Sequence, residues 1–364
     1  MKIKFTNLYK LIKEKEKIFK KIFSLIKNSE FVGGNDVFFF EKEFSRFVKA
    51  KYCVSVANGT DALEIAIKSL NLKENSEIIV PNNTWISAAE AVIANNHKLV
   101  LCDIDLNDYT ICLNDLKKKI TQNTKAIIIV HLYGNPVNIP EVKKIIRGKN
   151  IKIIEDCAQA HGSLINKKHV GTFGEIACFS FFPGKNLGAF GDAGAIITNN
   201  KKIYNFCIRY RNHGSLKKYD HRFSGRNSRL DTIQAAVLRI KLKHYSKVLK
   251  KRNLIANIYY KELKNIPQII LTKLNRFCDY SFHQFIIRTN NIKKLRKYLF
   301  INGIETMIHY PYMLSQLNFF KNNFKFKNSN NLGSKILSLP ISEEHSVNEI
   351  KYVIKIIKNF FKKI

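Results

Sequence analysis

One lysine, Lys185, lies in a segment whose composition could give an amine unusual chemistry. Residues 179–195 read FSFFPGKNLGAFGDAGA, so aromatic residues precede the lysine and small residues follow it. The apolar alternation of residues 176–182 predicts a strand, and a Pro-Gly turn separates that strand from the lysine. A partly desolvated lysine on a fixed loop deprotonates readily and can attack a carbonyl to form a Schiff base. A solvated lysine at a loop tip is the alternative.

A carboxylate, Asp156, is the second candidate. It lies in EDCAQAHG, residues 155–162, directly after the apolar run 151–154. A carboxylate at the end of a buried strand is costly unless it meets a cation. Asp156 and Lys185 together suggest pyridoxal phosphate chemistry, in which lysine forms the Schiff base and a carboxylate keeps the pyridine nitrogen protonated. Asp156 and His161 could instead form a catalytic dyad or a metal site, although no third ligand has the required spacing.

Two further stretches could hold parts of a ligand. ANGTDAL, residues 57–63, places Gly59 and Thr60 at a predicted helix N-terminus, which favours a phosphate site. The same pattern is typical of an ordinary helix cap, supplied by Thr60 or Asp61. Trp85, the one tryptophan of the chain, follows the next predicted strand and could be a core residue or a stacking surface for a flat ring.

Short apolar runs alternate with helical segments in the first two thirds of the chain, which indicates an α/β fold with a largely parallel, buried sheet. Ligands of such sheets bind beyond the carboxyl ends of the strands, where Gly59, Trp85 and Asp156 fall. The predicted strands are 52–56, 77–80, 98–102, 126–130, 151–154, 176–181 and 195–198. The predicted helices are 61–70, 87–95, 113–120 and 141–146, with 201–212 and 229–249 after the last strand.

The two ends of the chain have different patterns. Apolar residues at helical spacing predict one amphipathic helix over residues 8–27, which could touch a membrane surface but is more typical of packing on its own domain or on a partner subunit. A second helix follows at 37–48. Beyond residue 250 the pattern changes to a smaller α+β region, so we expect a large domain over residues 1–249 and a small one over 250–364. The expected elements of the small domain are strands 269–271 and 282–287 and helices 292–302 and 347–361.

Composition restricts the class of protein. No apolar run of the 364 residues approaches the roughly 20 needed to span a bilayer, and no signal-peptide pattern opens the chain, so we expect a cytoplasmic location. The seven cysteines form no Cys-x-x-Cys pair, which favours reduced thiols over disulfides or a metal site. A net charge of +34 invites a nucleic-acid interpretation. The excess is mainly lysine spread along the chain, without an arginine and aromatic patch, so we attribute it to compositional bias that also attracts anionic substrates.

Several motifs in order resemble the nucleotide-sugar aminotransferases of the DegT/StrS type. They are EDCAQAHG, the segment 179–195, GRNSRLD at 225–231, GTDAL at 59–63, HLYG at 131–134 and HYP at 309–311. The resemblance covers nearly the whole chain. It implies a large domain of the aspartate-aminotransferase-like, fold-type I architecture, a small α+β C-terminal domain, and pyridoxal 5'-phosphate as cofactor, with pyridoxamine phosphate in the half-reaction. It also implies a homodimer whose active sites lie at the subunit interface. From composition and ligand spacing we expect no specific nucleic acid, no membrane and no metal.

The resemblance also implies a role for individual residues. Lys185 would be the Schiff-base lysine and proton shuttle, and Asp156 would pair with the pyridine nitrogen. The other implied cofactor contacts are Gly59, Thr60 and Ser180 at the phosphate, Trp85 stacked on the ring, Gln159 on the ring's hydroxyl side and Asn227 reaching the phosphate from the partner subunit. The implied sugar-side residues are His309, Tyr310, Lys217 and Lys218.

The implied reaction is a ping-pong transamination. Glutamate would aminate the cofactor, which would then aminate a keto group on a nucleotide-linked 6-deoxyhexose. The product would be used in surface glycan biosynthesis. The run around Lys185, with Gln159, is more similar to members that act at C-3 of a dTDP-linked sugar than to those that act at C-4, which is the alternative. Relatives that are dehydratases lack this lysine. A basic polyanion-binding protein and a catalytically silent paralogue are the remaining alternatives.

Overall fold

The computed structural model describes residues 1–320 and 325–363. The strands are, in chain order, β1 (Tyr52–Val56), β2 (Glu77–Pro81), β3 (Lys98–Cys102), β4 (Thr124–Val130), β5 (Lys152–Asp156), β6 (Leu164–Ile165), β7 (Lys168–His169), β8 (Ile176–Ser180), β9 (Gly194–Thr198), β10 (Ile270–Leu271), β11 (Cys278–Asp279), β12 (Phe285–Arg288) and β13 (Ile336–Leu339). The helices are α1 (Lys15–Lys27), α2 (Gly34–Val48), α3 (Gly59–Ser69), α4 (Ser87–Ala94), α5 (Leu113–Lys119), α6 (Ile139–Ile145), α7 (Lys201–Tyr210), α8 (Thr232–Leu242), α9 (Tyr245–Leu263), α10 (Ile292–Ile301) and α11 (Val347–Lys362). None of these helices is both long and apolar enough to cross a membrane.

Seven strands form the central sheet in the order β1-β9-β8-β5-β4-β2-β3. Every neighbouring pair from β8 to β3 is parallel, and β9 alone runs antiparallel to both of its neighbours. The prediction of an α/β fold with a mainly parallel sheet is therefore confirmed. The carboxyl ends of β2, β4, β5 and β8 consequently meet at one edge of the sheet, which places the segments that follow them close together.

Helices cover both faces of this sheet, because its strands are apolar on both sides. Along β4, Ile127 and Ile129 contribute to one core while Ile128 and Val130 contribute to the other. On the first face, α2 packs Phe44 edge-on against Phe179 of β8, with 5.1 Å between ring centroids. On the second face lie α3 and α4. The sheet is thus a rigid support for the loops at its edge.

The C-terminal part forms a third core around the sheet β10-β12-β13, enclosed by α9, α10 and α11. The first residues of the chain join it, since Ile3 is buried there and forms a bridge with Ile304. Helix α9 runs across the expected boundary at residue 249, with Tyr245 in the first core and Tyr259 in the third. The division into domains 1–249 and 250–364 stays a prediction.

Two predicted helices differ from the structure. Residues 8–12 form turns, and α1 begins only at Lys15, because the chain must change direction between the C-terminal core at Ile3 and the packing of Ile18 on α8. The single helix predicted over 229–249 is two helices that break at residues 243–244. The break lets Tyr245 turn into the core, where its hydroxyl donates to the carbonyl of His161 at 2.9 Å.

Candidate active site

A cavity of about 400 Å³, the main cavity, lies at the carboxyl edge of the central sheet. It brings together side chains from segments that are distant in sequence, as expected for a parallel sheet. The residues singled out from the sequence that line it are Gly59, Thr60, Trp85, Asp156, Gln159, Ser180, Lys185 and Tyr310.

Lys185 lies in the loop that follows β8. Its backbone N–H donates to the carbonyl of Phe182 at 2.8 Å, and Leu187 is buried behind it, so the loop is fixed to the sheet. Burial lowers the pKa of Lys185 to about 8, and the nearby charge of Asp156 opposes that shift. An amine with this pKa is neutral in a substantial fraction of molecules near pH 7 to 8, as a nucleophile or proton carrier requires.

Asp156 is the last residue of β5 and is buried. Its Oδ1 accepts the backbone N–H of Ala158 at 2.9 Å. Burial raises the pKa of Asp156, while this hydrogen bond and the positive charge of Lys185 act in the opposite direction. A carboxylate in this setting favours any cationic N–H that enters the cavity.

The start of α3 forms the opposite wall of the main cavity. Asn58, not Thr60 or Asp61, caps the helix by accepting the backbone N–H of Asp61 at 2.8 Å. The hydroxyl of Thr60 is therefore free of capping and lies 2.7 Å from that of Ser87, another lining residue. A Cβ on Gly59 would lie 2.8 Å from the Cβ of Ser180, so glycine is required for this close approach. Backbone N–H groups at a helix start, with hydroxyls beside them, suit a phosphate.

Trp85 and Tyr310 form an aromatic side of the main cavity. Their ring centroids are 5.5 Å apart, and Trp85 is 60% exposed, so the alternative that it is a core residue is wrong. Gln159 holds Tyr310 in place, because its Nε2 donates to the phenol oxygen at 3.0 Å and its Oε1 accepts the backbone N–H of Tyr133 at 2.7 Å.

A second cavity of about 460 Å³, the adjoining chamber, shares Gln159, Phe182, Lys185 and Tyr310 with the main cavity. His309 lines this chamber, and its Nδ1 lies 2.8 Å from the hydroxyl of Ser338. Burial, and secondarily the charge of Lys185, lowers the pKa of His309 to about 4. His309 is therefore a neutral hydrogen-bonding group at physiological pH.

Three of the residues predicted to contact the cofactor or the sugar line neither cavity. Asn227, Lys217 and Lys218 are exposed on the loop between α7 and α8. Asn227 forms an isolated bridge with Asn212. Within one chain, the structure therefore does not bring these three side chains to Lys185.

The alternative of a dyad between Asp156 and His161 is not formed. Among the described residues no hydrogen bond joins the buried ring of His161 to Asp156, and the ring packs on Phe179 and Phe181. Burial, followed by the charge of Lys185, lowers the pKa of His161 to about 3. His161 is thus a neutral core residue.

A different buried cluster has the residue types of a metal site, namely His131, Glu155 and Cys157. The ligand atoms of His131 and Glu155 are already engaged. Glu155 accepts the backbone N–H groups of three residues of the 171–174 turn and lies 3.1 Å from His131 Nε2, while His131 Nδ1 accepts the backbone N–H of Val137. The cluster therefore fastens this turn to the end of the sheet beside Asp156.

The chain matches the DegT/DnrJ/EryC1/StrS aminotransferase family over residues 12–358. It belongs to this family. The prediction of an aminotransferase is confirmed. Among curated relatives, it is 38% identical over 338 residues to a dTDP-3-amino-3,6-dideoxy-alpha-D-galactopyranose transaminase of Aneurinibacillus thermoaerophilus, covering 92% of this chain and 93% of that protein. It is 38% identical to the dTDP-3-amino-3,4,6-trideoxy-alpha-D-glucose transaminase of Streptomyces venezuelae, covering 75% and 72%, and 31% identical to the GDP-perosamine synthase of Escherichia coli O157:H7, covering 90% and 91%.

Two solved structures have the same fold. The S. venezuelae protein DesV, solved in complex with a ketimine intermediate, superposes with a TM-score of 0.96 at 31% identity, covering all of this chain and 99% of that one. NtdA of Bacillus subtilis, solved with bound cofactor PMP, superposes with a TM-score of 0.93 at 27% identity, covering 99% and 85%. The predicted fold-type I architecture and the predicted pyridoxal phosphate cofactor are confirmed, and sugar-nucleotide aminotransferase activity is supported.

Sequence reasoning missed several lining residues. Asn58 and Ser87 line the main cavity, and the preference of asparagine for helix caps was a usable signal for Asn58. Arg252, Gln284 and Ser342 line the adjoining chamber but lie outside every motif singled out above. Only the folding of the C-terminal part over Lys185 brings them there.

Proposed function

We propose that this chain transfers an amino group from glutamate to a dTDP-linked 3-keto-6-deoxyhexose, giving a 3-amino-3,6-dideoxyhexose. The single observation that carries the proposal is the pair of Lys185 and Asp156, which line one cavity in which burial shifts the pKa of both groups. The 38% identity to a transaminase named for a dTDP-3-amino sugar supports C-3 as the aminated carbon and dTDP as the nucleotide.

The main cavity has the donor set that pyridoxal phosphate requires. The close approach of Gly59 to Ser180, where a Cβ would not fit, leaves the start of α3 open to a phosphate, with Thr60 and Ser87 hydroxyls beside it. Asp156 offers a buried carboxylate to a protonated ring nitrogen. When bound, the cofactor supplies a ring that withdraws electrons from the carbon being deprotonated.

Lys185 would hold the aldehyde carbon of the cofactor and, once displaced, carry the proton at its Nζ. A pKa of about 8 means that the free amine can both accept and release a proton near neutral pH. Asp156 would keep the ring nitrogen protonated through a charge-assisted hydrogen bond. Trp85 would stack on the ring, and Gln159 would position Tyr310 beside it.

A second subunit would complete the site. Large apolar side chains at the rim of the main cavity, Trp85 and Phe182, are 60% and 55% exposed, as is typical of surface that a partner covers. Asn227, Lys217 and Lys218 are exposed on a loop that is available to a neighbouring chain. We therefore propose a homodimer in which Asn227 reaches the phosphate of the other subunit and the two lysines reach its sugar nucleotide.

The regiochemistry is tested by incubating the purified enzyme and glutamate with dTDP-linked 3-keto- and 4-keto-6-deoxyhexoses in separate reactions. The aminated carbon is then identified by NMR of the product. We expect amination at C-3. Exclusive amination at C-4 would overturn the assignment. The 31% identity to a GDP-perosamine synthase is the reason for testing this alternative.

A further inference from the structure

The adjoining chamber contains two buried polar groups that nothing in the described residues satisfies. Gln284 Oε1 and Ser342 Oγ have no hydrogen-bond partner within residues 1–320 and 325–363, and these residues are only 8% and 2% exposed. Both residues line the chamber that shares Lys185 with the main cavity. Buried polar atoms normally have partners, so two unpaired polar groups that line one chamber have hydrogen-bonding capacity left for a ligand.

The orientation of the Gln284 amide follows from a chain of hydrogen bonds. Asn186 Nδ2 donates to the carbonyl of Ser281 at 2.9 Å, which leaves Asn186 Oδ1 to accept from His283 Nδ1 at 3.0 Å. Burial lowers the pKa of His283, so its ring is neutral and Nε2 is an acceptor. Gln284 Nε2 faces it at 3.4 Å and is the donor. The unsatisfied atom of Gln284 is therefore its carbonyl oxygen, a hydrogen-bond acceptor.

The two unpaired polar groups lie at the same end of the antiparallel pair formed by β12 and β13. Phe285 of β12 pairs with Leu339 of β13, so Gln284 precedes one strand where Ser342 follows the other. Arg252 fixes this end by donating to the carbonyls of Phe282 and Ile341 at 3.1 and 3.0 Å. The acceptor of Gln284 and the hydroxyl of Ser342 are thus held on a braced scaffold, which favours recognition over flexible contact.

The chemistry of the two substrates distinguishes between possible ligands. Glutamate has no N–H or O–H donor besides the amino group that reacts, and its carboxylates are acceptors that a carbonyl oxygen repels. A sugar ring offers hydroxyls, which can donate to Gln284 Oε1 and accept from Ser342 Oγ. Resting on the function proposed above, we infer that Gln284 and Ser342 bind a ring hydroxyl next to the aminated carbon and so determine sugar specificity.

The test compares Gln284→Leu and Ser342→Ala with the matched controls Gln268→Leu and Ser334→Ala, which lie elsewhere in the C-terminal part. The probes are dTDP-3-amino-3,6-dideoxy-α-D-galactose and dTDP-3-amino-3,4,6-trideoxy-α-D-glucose, which differ only in the C-4 hydroxyl. Affinity is measured by calorimetry in a Lys185→Ala background, and the glutamate half-reaction is followed by absorbance in chains that retain Lys185.

We expect Gln284→Leu to weaken binding of the hydroxylated probe about 10-fold, because a single buried hydrogen bond to a hydroxyl is lost. The glutamate half-reaction and both controls should change less than about twofold. A loss confined to the hydroxylated probe assigns the C-4 hydroxyl, and an equal loss for both probes assigns another ring hydroxyl.

Unchanged affinity for both probes in Gln284→Leu and Ser342→Ala would overturn the inference, as would an equal loss in the glutamate half-reaction, which would show a structural role. If the wild-type chain discharges its cofactor with glutamate but binds no sugar nucleotide, the proposed substrate fails and the inference fails with it.

Discussion

At the scale of single residues, the proposed chemistry depends on a lysine whose pKa burial lowers. Burial in the loop after β8 lowers the pKa of Lys185 to about 8, and Asp156 limits that effect. The two side chains come from segments about thirty positions apart that only the parallel order of β5 and β8 brings together.

The pH dependence of cofactor uptake follows from this pKa. Only the neutral amine of Lys185 can attack the cofactor aldehyde, so below pH 8 the uptake rate should rise about tenfold per pH unit and level off above it. The measurement is the rate of absorbance change when pyridoxal phosphate is mixed with the cofactor-free chain between pH 6 and 10. A rate that keeps rising towards pH 10.5 would show that burial does not lower the pKa of this lysine.

Replacement of Asp156 tests the electrostatic role of its charge. Asp156→Asn retains the size of the side chain and its acceptor oxygen but removes the negative charge that would hold a proton on the ring nitrogen. We expect kcat to fall on the order of 10²-fold or more, as for the loss of one preorganised electrostatic contact. The exposed Asp279→Asn is the control. A decrease of less than about threefold in Asp156→Asn would contradict the role.

Much of the candidate site was predictable at this scale. Lys185, Asp156, Gly59 and Thr60 lie in motifs whose glycines, strand ends and helix starts restrict what the side chain can do. Gln284 and Ser342 were not predictable. Gln284 precedes the apolar strand β12 and Ser342 follows the apolar strand β13, and only the pairing of these two strands brings the residues close together.

At the scale of elements, a buried carboxylate fastens the turn next to Asp156. Glu155 accepts hydrogen bonds from the backbone N–H groups of Gly171, Phe173 and Gly174. Although burial would raise the pKa of Glu155, its hydrogen bond to His131 and these N–H groups hold that pKa below its ordinary value. The carboxylate therefore satisfies groups that would otherwise be buried without partners.

Neutralising this carboxylate should destabilise the fold. In Glu155→Gln an NH₂ group replaces one carboxylate oxygen and faces backbone N–H groups that need an acceptor. We therefore expect the free energy of unfolding to fall by about 2 kcal/mol or more. Chemical denaturation of the cofactor-free chain measures this free energy, with the partly exposed Glu141→Gln as control. A decrease below about 0.5 kcal/mol would show that the three N–H groups find other partners.

The sequence pattern predicted the long strands of the central sheet and the two-residue β10, and it missed the other two-residue strands. Strands such as 98–102 and 126–130 are apolar and bounded by polar turns, so their positions were clear. The two-residue strands β6, β7 and β11 have no periodicity to detect. The start of α1 was predicted too early, because the apolar spacing continues through residues that tertiary packing forces into turns.

At the scale of the whole molecule, the proposed site needs two chains. We expect a dimeric mass in sedimentation equilibrium, and active sites shared between subunits. Mixing inactive Lys185→Ala with Asn227→Ala under subunit exchange should then restore up to about a quarter of wild-type activity, since half of the dimers are hybrids with one intact site.

The control for this complementation is Lys185→Ala mixed with Asp156→Asn. Both residues line the same cavity of one chain, so each cavity of a hybrid of these two variants carries one of the two substitutions, and no intact site forms. We expect no recovery in this control. An Asn227 mixture that recovers no more activity than the control would show that Asn227 acts within its own chain.

The visible absorbance of the purified protein during one catalytic cycle tests the central claim most directly. We expect a cofactor band that glutamate removes, that a dTDP-linked 3-keto-6-deoxyhexose restores, and that Lys185→Ala does not form. The account would be contradicted if the protein formed no band with added pyridoxal phosphate. It would also be contradicted if Lys185→Ala formed a band that responded to both substrates at the wild-type rate.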